Sequence, residues 1–575
     1  MREIWVADSE TEPFKHRRIP RPFIWGAYNG TEYHQFENTA DFVAFIAARD
    51  CICYAHNGGK FDWLFLAPHF QAFDPIMVIG SRLAKFKIGE AEFRDSYNIL
   101  PVPLREFAKD DFDYTLLEPD VRDLPQNRIK IEHYLRSDCV NLFNAIKQFI
   151  DTYGLSLTVA GAAMKQWRSI AGVKAPQGSR RIYNELAPFY YGGRVECFQK
   201  GIIKTPFKVV DINSAYPFAM THLHPYGENY SVSDALPNSR AYIQRCFIEL
   251  DCVARGSLPY RAADGSLSFP NDGIARTYHI TGWEFLAAVD TRTIGEWEII
   301  RVLRFPDSIE FGAYVDHFSK MKAEAVKGSA DYVFAKLFLN ALYGRFAMDP
   351  SSFESWQFVP SEFITAASEL DQWQFAQEVY TNVVPIKRRE SGGTREKKPV
   401  YVSDSLSLMC KPLEESEMRY YSVAVAASIT GFVRAYLWRA ICQSTGVLYC
   451  DTDSIACSDT GKLTLHPTNL GAWDLEAECD GGGIAGKKLY AFRKSASWLE
   501  FERQSRPNAK EYKTASKGVK LSPSEIMRVA KGETIVYLPE APNFSIKQGI
   551  RIFGPGSESE KNLSKMFANR KVNLS

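Results

Sequence analysis

Residues 447–457, VLYC-Asp451-Thr452-Asp453-SIAC, constrain this chain more than any other stretch. Two short apolar runs meet at two acids one residue apart, which predicts paired strands joined at an acidic tip. In extended backbone, residues two apart point to the same side, so Asp451 and Asp453 are expected to project together. Like charges held side by side make physical sense around a cation. Mg²⁺ is the usual partner of one or two carboxylates plus substrate phosphates. Taken alone, the tripeptide is equally consistent with a turn closed by Asx-type hydrogen bonds.

A second apolar run, FKVVDINSAYP, ends in Asp211 and is stopped by Pro217. One acid after a strand usually caps a turn. Beside the 451/453 pair it takes on another sense, because two-metal phosphoryl transfer needs about three converging carboxylates. A third element carries Lys336, Asn340 and Tyr343 at spacings of four and three, hence on one helical face. Phe334, Leu337, Phe338 and Ala341 form the neighbouring apolar face. A lysine and a tyrosine on one stripe suit a triphosphate and a base, or simply a solvated edge. A helical hairpin is expected here, over residues 312–327 and 330–343, broken at Gly328 and closed by Gly344 as C-cap.

At 575 residues the chain is expected to hold about four domains at the usual ~150 residues each. Its 45% hydrophobic and 13% aromatic content excludes collagen-like, disulfide-scaffold and largely disordered classes. The longest nearly uncharged stretch, residues 422–433, is too short and too rich in small residues to span a bilayer, so no membrane partner is expected. MREIWVADSETEP turns acidic early and does not read as a secretory signal. The 11 cysteines are scattered, with only Cys51 and Cys53 close and no CxxC pair. A reducing, cytoplasmic setting is expected. Net charge is only +1, but residues 501–575 carry 14 Lys and Arg against 7 Asp and Glu. A basic end on a slightly acidic body suits a protein that holds phosphates in one place and metal-binding carboxylates in others.

Residues 1–150 alternate strand-like and helix-like patterns (IWVAD, FVAFIAA, CICYA, FDWLFL) and read as an α/β domain. Asp8 and Glu10 share a face at the end of the first strand, and Asn57 and Asp62 flank an NGGKF turn. Tyr134 and Asp138 lie one helical turn apart beside an apolar stripe of Leu135, Cys139, Leu142, Ile146 and Phe149. Gly192-Gly193 punctuates a plausible linker. Residues 383–402 read as a β-hairpin with an SGGT tip, decorated by Lys387, Arg388, Arg389, Arg395, Lys397 and Lys398.

Together, DxxSxYP at 211–217, KxxxNxxYG at 336–344 and YxDTDS at 449–454 resemble polymerase motifs A, B and C of the family B DNA polymerases, in that order. KxY at 488–490 resembles the family's primer-strand contact, 430–434 its TxxGR-type motif, and 190–193 its YxGG linker. In the first domain, Asp8, Glu10, Asp62 and Asp138 with Tyr134 resemble the motifs of proofreading 3′→5′ exonucleases with a ribonuclease-H-like fold. The resemblance implies two metals per active site, Mg²⁺ with Mn²⁺ also accepted. Asp211, Asp451 and Asp453 would hold one pair; Asp8, Glu10, Asp62 and Asp138 would hold the other, with Tyr134 orienting the attacking water. Lys336, Asn340, Tyr343, Tyr216 and Ser214 would bind the nucleotide, Tyr216 as a steric gate against ribose. Thr11, Asn57, Phe61 and Ser96 would meet the single strand, and Lys109 its phosphate. Tyr190, Gly192, Gly193, Thr430, Arg434, Lys488 and Tyr490 would contact DNA, as would Lys387, Arg388 and Lys397 of the hairpin. Four positions depart from the family pattern: Ser9, Tyr97, Ala341 and Val433.

The 118 residues between Pro217 and Lys336 and the 85 between Gly344 and Thr430 match the insertions of the protein-primed members, the polymerases of bacteriophages and linear plasmids with terminal proteins. The implied fold is α/β and α+β multidomain. It comprises an exonuclease domain (1–155), a linker (156–200), palm (201–224), an insertion docking the priming protein (225–310) and fingers (311–350). A second insertion with the basic hairpin (351–420), palm again (421–495) and thumb with the basic end (496–575) follow. The implied activity is processive, strand-displacing DNA synthesis with proofreading, on template and primer DNA with dNTPs and a terminal protein, by a monomer. An ordinary primer-extending enzyme, an RNA-making polymerase and an inactivated DNA-binding scaffold are the alternatives. Tyr216 argues against ribonucleotides, and seven intact carboxylates argue against inactivation.

Overall fold

The computed structural model describes residues 2–14, 18–71, 75–104, 111–173, 178–350, 354–360, 400–401, 406–412, 421–539, 544–546, 549, 553 and 567–574. Lys109 and the basic residues at 387–398 lie outside the described residues.

The strand Glu3–Thr11 is the keel of the N-terminal domain. It runs parallel to Cys51–Ala55 and antiparallel to Pro22–Tyr28. Its alternate residues bury on opposite faces: Ile4 and Val6 pack with Leu142, Ile146 and Phe149, while Trp5 and Ala7 pack with Phe42, Ile46 and Trp63. A strand covered on both sides must be apolar throughout, which is why IWVA carries no polar residue. The long helix Pro125–Tyr153 covers one face, opened by Pro125 and stopped at Gly154, whose φ of 73° favours glycine.

This sheet reaches ten strands because Glu354–Pro360, from the second long insertion, adds to the edge strand Pro75–Ile79, with Trp356 opposite Ile76. Val400–Tyr401, the end of the expected hairpin's second arm, pairs with Leu406–Pro412, which is itself anchored to Glu354–Pro360. The rest of that hairpin lies outside the described residues.

The second large sheet places Phe207–Ile212 between Ser454–Asp459 and Trp473–Gly486. Beneath it runs Val423–Gln443, whose buried residues include nearly every position from Val423 to Ile441. The uncharged stretch at 422–433 is thus a buried core helix. Among the described residues no helix is long and apolar enough to cross a membrane. The insertion after Pro217 builds a four-stranded sheet, Ser231–Ser233, Ile294–Arg304, Cys246–Ala254 and Arg276–Thr281 in spatial order. It has its own core of Ile248, Leu250, Tyr278, Ile280 and Val302.

The expected helical hairpin is present as Gly312–Glu324 and Ala330–Phe346, with Gly328 at φ 88° between them. Its end differs from expectation. Gly344 is not the C-cap; the helix continues to Phe346, whose ring is buried against Trp167 and Phe311. Burying that ring outweighs the glycine's weak helix propensity.

Candidate active sites

In the palm sheet, register assembles the acids. Asp211 stands opposite Ser454 on one side and Asp474 on the other. Asp451 pairs with Ser454, so Thr452 and Asp453 form the tight turn itself. This corrects the expectation from strand alternation: Asp453 is not in extended backbone, and the pair is brought together by the turn. Thr452 sits at φ 62°, a left-handed conformation that a β-branched residue rarely adopts. The turn is tied to the motif-A strand by Ile212 N donating to the Asp453 carbonyl at 2.8 Å.

The electrostatics are those of crowded carboxylates. Burial, then Asp453 and Glu476, push Asp211 up to about 8, against the pull of Lys513. Burial and Asp451 push Asp453 up to about 6. Glu476 was not foreseen. It is the extra residue of a β-bulge, skipped where Val209 faces Ala477 and Val210 faces Leu475, and bulges re-aim side chains. Lys513 donates to it at 2.6 Å. Asp474 and Glu476 share the two-residue spacing that drew attention to 451 and 453, so the signal was present in the sequence. Crowding of this kind fits a divalent cation, whose charge relieves it. Among the described residues, however, no three His, Cys, Asp or Glu side chains are arranged as ligands of one ion. Lys488 donates from its ammonium to Asp451 Oδ1 at 2.6 Å. Its backbone N–H donates to the Tyr449 hydroxyl at 2.9 Å.

Beside the acids, the Tyr216 and Tyr343 rings stack at 4.0 Å and 6°. Lys336 and Asn340 are exposed on the same helix, with Asn340 Nδ2 donating to the Lys336 carbonyl at 3.0 Å. Ser214, at φ 52°, precedes the short helix that carries Tyr216. Tyr490 stacks on Phe492 at 4.2 Å.

The N-terminal group is more enclosed. Glu10, Thr11, Asp62, Asp138 and Tyr134 are all buried. Burial, with Asp8 and Glu10 adding to it, pushes the Cys139 thiol well up, and Cys139 follows Asp138 on the long helix. The Tyr134 ring stacks on Phe112 at 4.2 Å, and its hydroxyl meets that of Tyr114 at 3.1 Å. Asp62 is held differently. Ser9 lies on the other face of its strand from Asp8 and Glu10, and its hydroxyl donates to Asp62 Oδ1 at 2.6 Å. Burial pushes Asp62 up to about 6, with the Ser9 hydroxyl opposing. The departure at Ser9 therefore does not loosen the strand; it holds a carboxylate.

Asn57, at φ 63°, accepts from Arg82 Nη1 at 2.6 Å, and the same nitrogen donates to buried Asp95 at 2.6 Å. Arg82 also lies 4.4 Å over the Tyr97 ring. Tyr97, the second departure, thus stacks on the guanidinium that holds Asn57. No spacing rule linked Arg82 or Asp95 to the turn. Phe61 packs edge-on to Phe14 and Phe65, at 5.4 and 5.0 Å.

The chain is 34% identical to a DNA-directed DNA polymerase of Enterobacteria phage PRD1, over 96% of each chain. It belongs to the family B DNA polymerases. The family described as DNA polymerase type B, organellar and viral, matches residues 110–388. A DNA polymerase of Bacillus phage Nf is 27% identical over 69% of this chain and 66% of its own. In structure the chain resembles phi29 DNA polymerase in its ternary complex with primer-template DNA and incoming nucleotide, with TM-score 0.68 at 18% identity, over 94% of this chain and 98% of that one. The shared fold is an exonuclease domain joined to palm, fingers and thumb. This protein is a DNA-directed DNA polymerase, and polymerases of its family use divalent metal ions, generally Mg²⁺.

Of the expected DNA contacts of this polymerase, Thr11 and Tyr490 are buried, and Arg434, Thr430 and Ser96 are almost wholly interior. Arg434 and Thr430 are each 2% exposed, and Thr430 Oγ1 donates to the Ala427 carbonyl. Both lie on the core helix, where every face is covered. Ser96 is 0% exposed and donates to the Ala55 carbonyl at 3.2 Å. In the linker motif only Gly193 is sterically required: a Cβ there would stand 2.7 Å from the Thr452 side chain, whereas at Gly192 it would meet nothing within 4 Å. Tyr190 is pushed up by burial and by its neighbour Tyr343.

Proposed function

We propose that this polymerase begins synthesis on the hydroxyl of a priming protein, extends processively with displacement of the downstream strand, and edits with its N-terminal domain as a 3′→5′ exonuclease. It would act as a monomer in the host cytoplasm. The observation that carries protein priming is the insertion between Pro217 and Lys336. It forms a sheet with a separate core and contributes none of the palm carboxylates. It also exposes Tyr242 and Trp297, apolar groups that a partner would cover.

Nucleotide addition needs only an oxygen nucleophile near the α-phosphate, so a Ser, Thr or Tyr side chain can stand in for a primer terminus. Asp211, Asp451 and Asp453 would hold two Mg²⁺ ions, which when bound stabilise the attacking and leaving oxygens. Lys336, free of the helix's packed face, would neutralise charge on the incoming triphosphate. Tyr216, stacked on Tyr343, would lie under the sugar and exclude a 2′-hydroxyl. In the first domain, Asp8, Glu10 and Asp138 with Asp62 would bind metal for phosphodiester hydrolysis, and Tyr134 would orient the water.

The test is to incubate the protein with a candidate priming protein and one labelled dNTP. Label on the priming protein supports the reading; an enzyme that extends DNA primers but never labels such a protein is an ordinary primer-extending polymerase. Deleting residues 387–398 should shorten products and flatten their salt dependence while sparing the first addition. Full-length products from that deletion would remove the hairpin from processivity.

A further inference from the structure

The buried position of Arg434 leaves a fully charged side chain without the DNA contact its motif suggested. Its partners lie on two parts of the chain distant from the core helix and from each other. Nε donates to Glu284 Oε1 at 2.7 Å, and Nη1 donates to the carbonyls of Tyr191 at 2.6 Å and Gly192 at 2.8 Å. Glu284 belongs to the helix Gly282–Asp290 of the insertion, and its side chain is 1% exposed. Its other oxygen accepts from Thr281 N at 2.9 Å and Thr281 Oγ1 at 2.8 Å, closing the capping box of that helix. Gly431 lets the core helix approach: a Cβ there would stand 2.3 Å from Thr281 Oγ1.

On its far side the 190–194 loop meets the catalytic turn. The Arg194 carbonyl accepts from Thr452 N at 2.6 Å. Gly193 lies against the Thr452 side chain, too close for any Cβ. Thr452, at φ 62°, is the residue between Asp451 and Asp453. A backbone so strained persists only where its surroundings over-determine it, and this loop supplies two of the constraints.

We propose that Arg434 is a positioning residue for nucleotide addition. Its guanidinium clamps the insertion's Glu284 helix to the 190–194 loop, and that loop holds the turn carrying Asp451 and Asp453. Replacing a buried ion pair by apolar residues often leaves stability unchanged, so the pair is better explained by the geometry it fixes than by stability. A planar fork reaching a carboxylate and two carbonyls at once is a task for arginine, which lysine cannot reproduce. The inference rests on the polymerase reaction alone and not on protein priming or editing.

The test uses full-length Arg434→Lys and Glu284→Gln with a primed template. Both are expected to lower kcat for single-nucleotide addition roughly tenfold or more, with dNTP KM within about twofold, because the acids and not the nucleotide pocket are disturbed. The double variant should be no worse than the weaker single, as expected for groups acting as one unit. DNA affinity should keep its wild-type salt slope. Were Arg434 a phosphate contact, that slope would fall by about one on substitution, and the proposal would be overturned. A folded Glu284→Gln protein with wild-type kcat, or losses that multiply in the double variant, would overturn it as well. Should both substitutions prevent folding, Gly193→Ala tests the clamp from the loop side. It should lower kcat at an unchanged melting temperature, and wild-type kcat would contradict the proposal.

Discussion

The two groups of acids in this polymerase are built in opposite ways. In the palm, neighbouring strands set Asp211 and Asp451 by register against Ser454 and the turn between them carries Asp453, with Lys513 and Lys488 close by as counter-charges. In the N-terminal domain, Asp8 and Glu10 sit on one strand, Asp138 on a helix 29 residues long, and Asp62 on a separate short helix held by Ser9. A register-built site forms once the sheet has paired. A site assembled from separate elements depends on packing between them, and each member can be shifted alone.

The largest effect that sharpens this contrast is loss of editing without loss of synthesis. Asp8→Ala combined with Asp62→Ala should lower single-strand degradation by at least about a thousandfold, since each 1.36 kcal/mol of lost transition-state stabilisation costs tenfold. Primer extension measured on the same preparation should stay within about twofold. A folded double variant that loses both activities would mean the two groups are not independent. Next in size is the gate. Tyr216→Val should reduce discrimination against ribonucleotides by roughly ten- to a hundredfold, measured as the ratio of kcat/KM for dNTP and rNTP. Unchanged selectivity would remove Tyr216 from the sugar pocket.

A smaller effect separates the sites by stability. Ser9→Ala strands the buried Asp62 carboxylate without its hydroxyl donor and should cost about 1–3 kcal/mol, read from denaturant unfolding. No register-built palm acid depends on one such donor. The smallest effect concerns pH. Because Asp211 is raised to about 8 in the folded protein, it contributes stability at pH below its unfolded value near 4 and loses it as pH rises through 8. Asp453, raised to about 6, acts in the same direction. Added Mg²⁺ should therefore raise the melting temperature more at pH 8 than at pH 6, and equal shifts would show that the ion binds elsewhere.

Much of the fold was legible because its signals were local. Alternating burial in IWVA, the helical stripe from Leu135 to Phe149 and the apolar runs around Asp451 each follow from one period. What escaped depends on neighbours distant in sequence. Gly344 looks like a helix end until Phe346 is seen packing on Trp167 and Phe311. Arg434 looks like a phosphate contact until Glu284, 150 residues away, is seen beside it. Glu476 shares with Asp474 the two-residue spacing of 451 and 453, but only pairing with the distant strand Phe207–Ile212, through a bulge, brings it to Asp211. Ser9 read as a weakened strand because its partner, Asp62, lies 53 residues downstream.

On the proposed assignment, the palm acids perform nucleotide addition independently of the N-terminal acids. The most direct measurement is Asp453→Ala, assayed in parallel for incorporation of one labelled dNTP on a primed template and for degradation of a labelled single strand. Incorporation should fall by at least about a thousandfold while degradation continues at the wild-type rate. Incorporation at the wild-type rate by this variant would contradict the account.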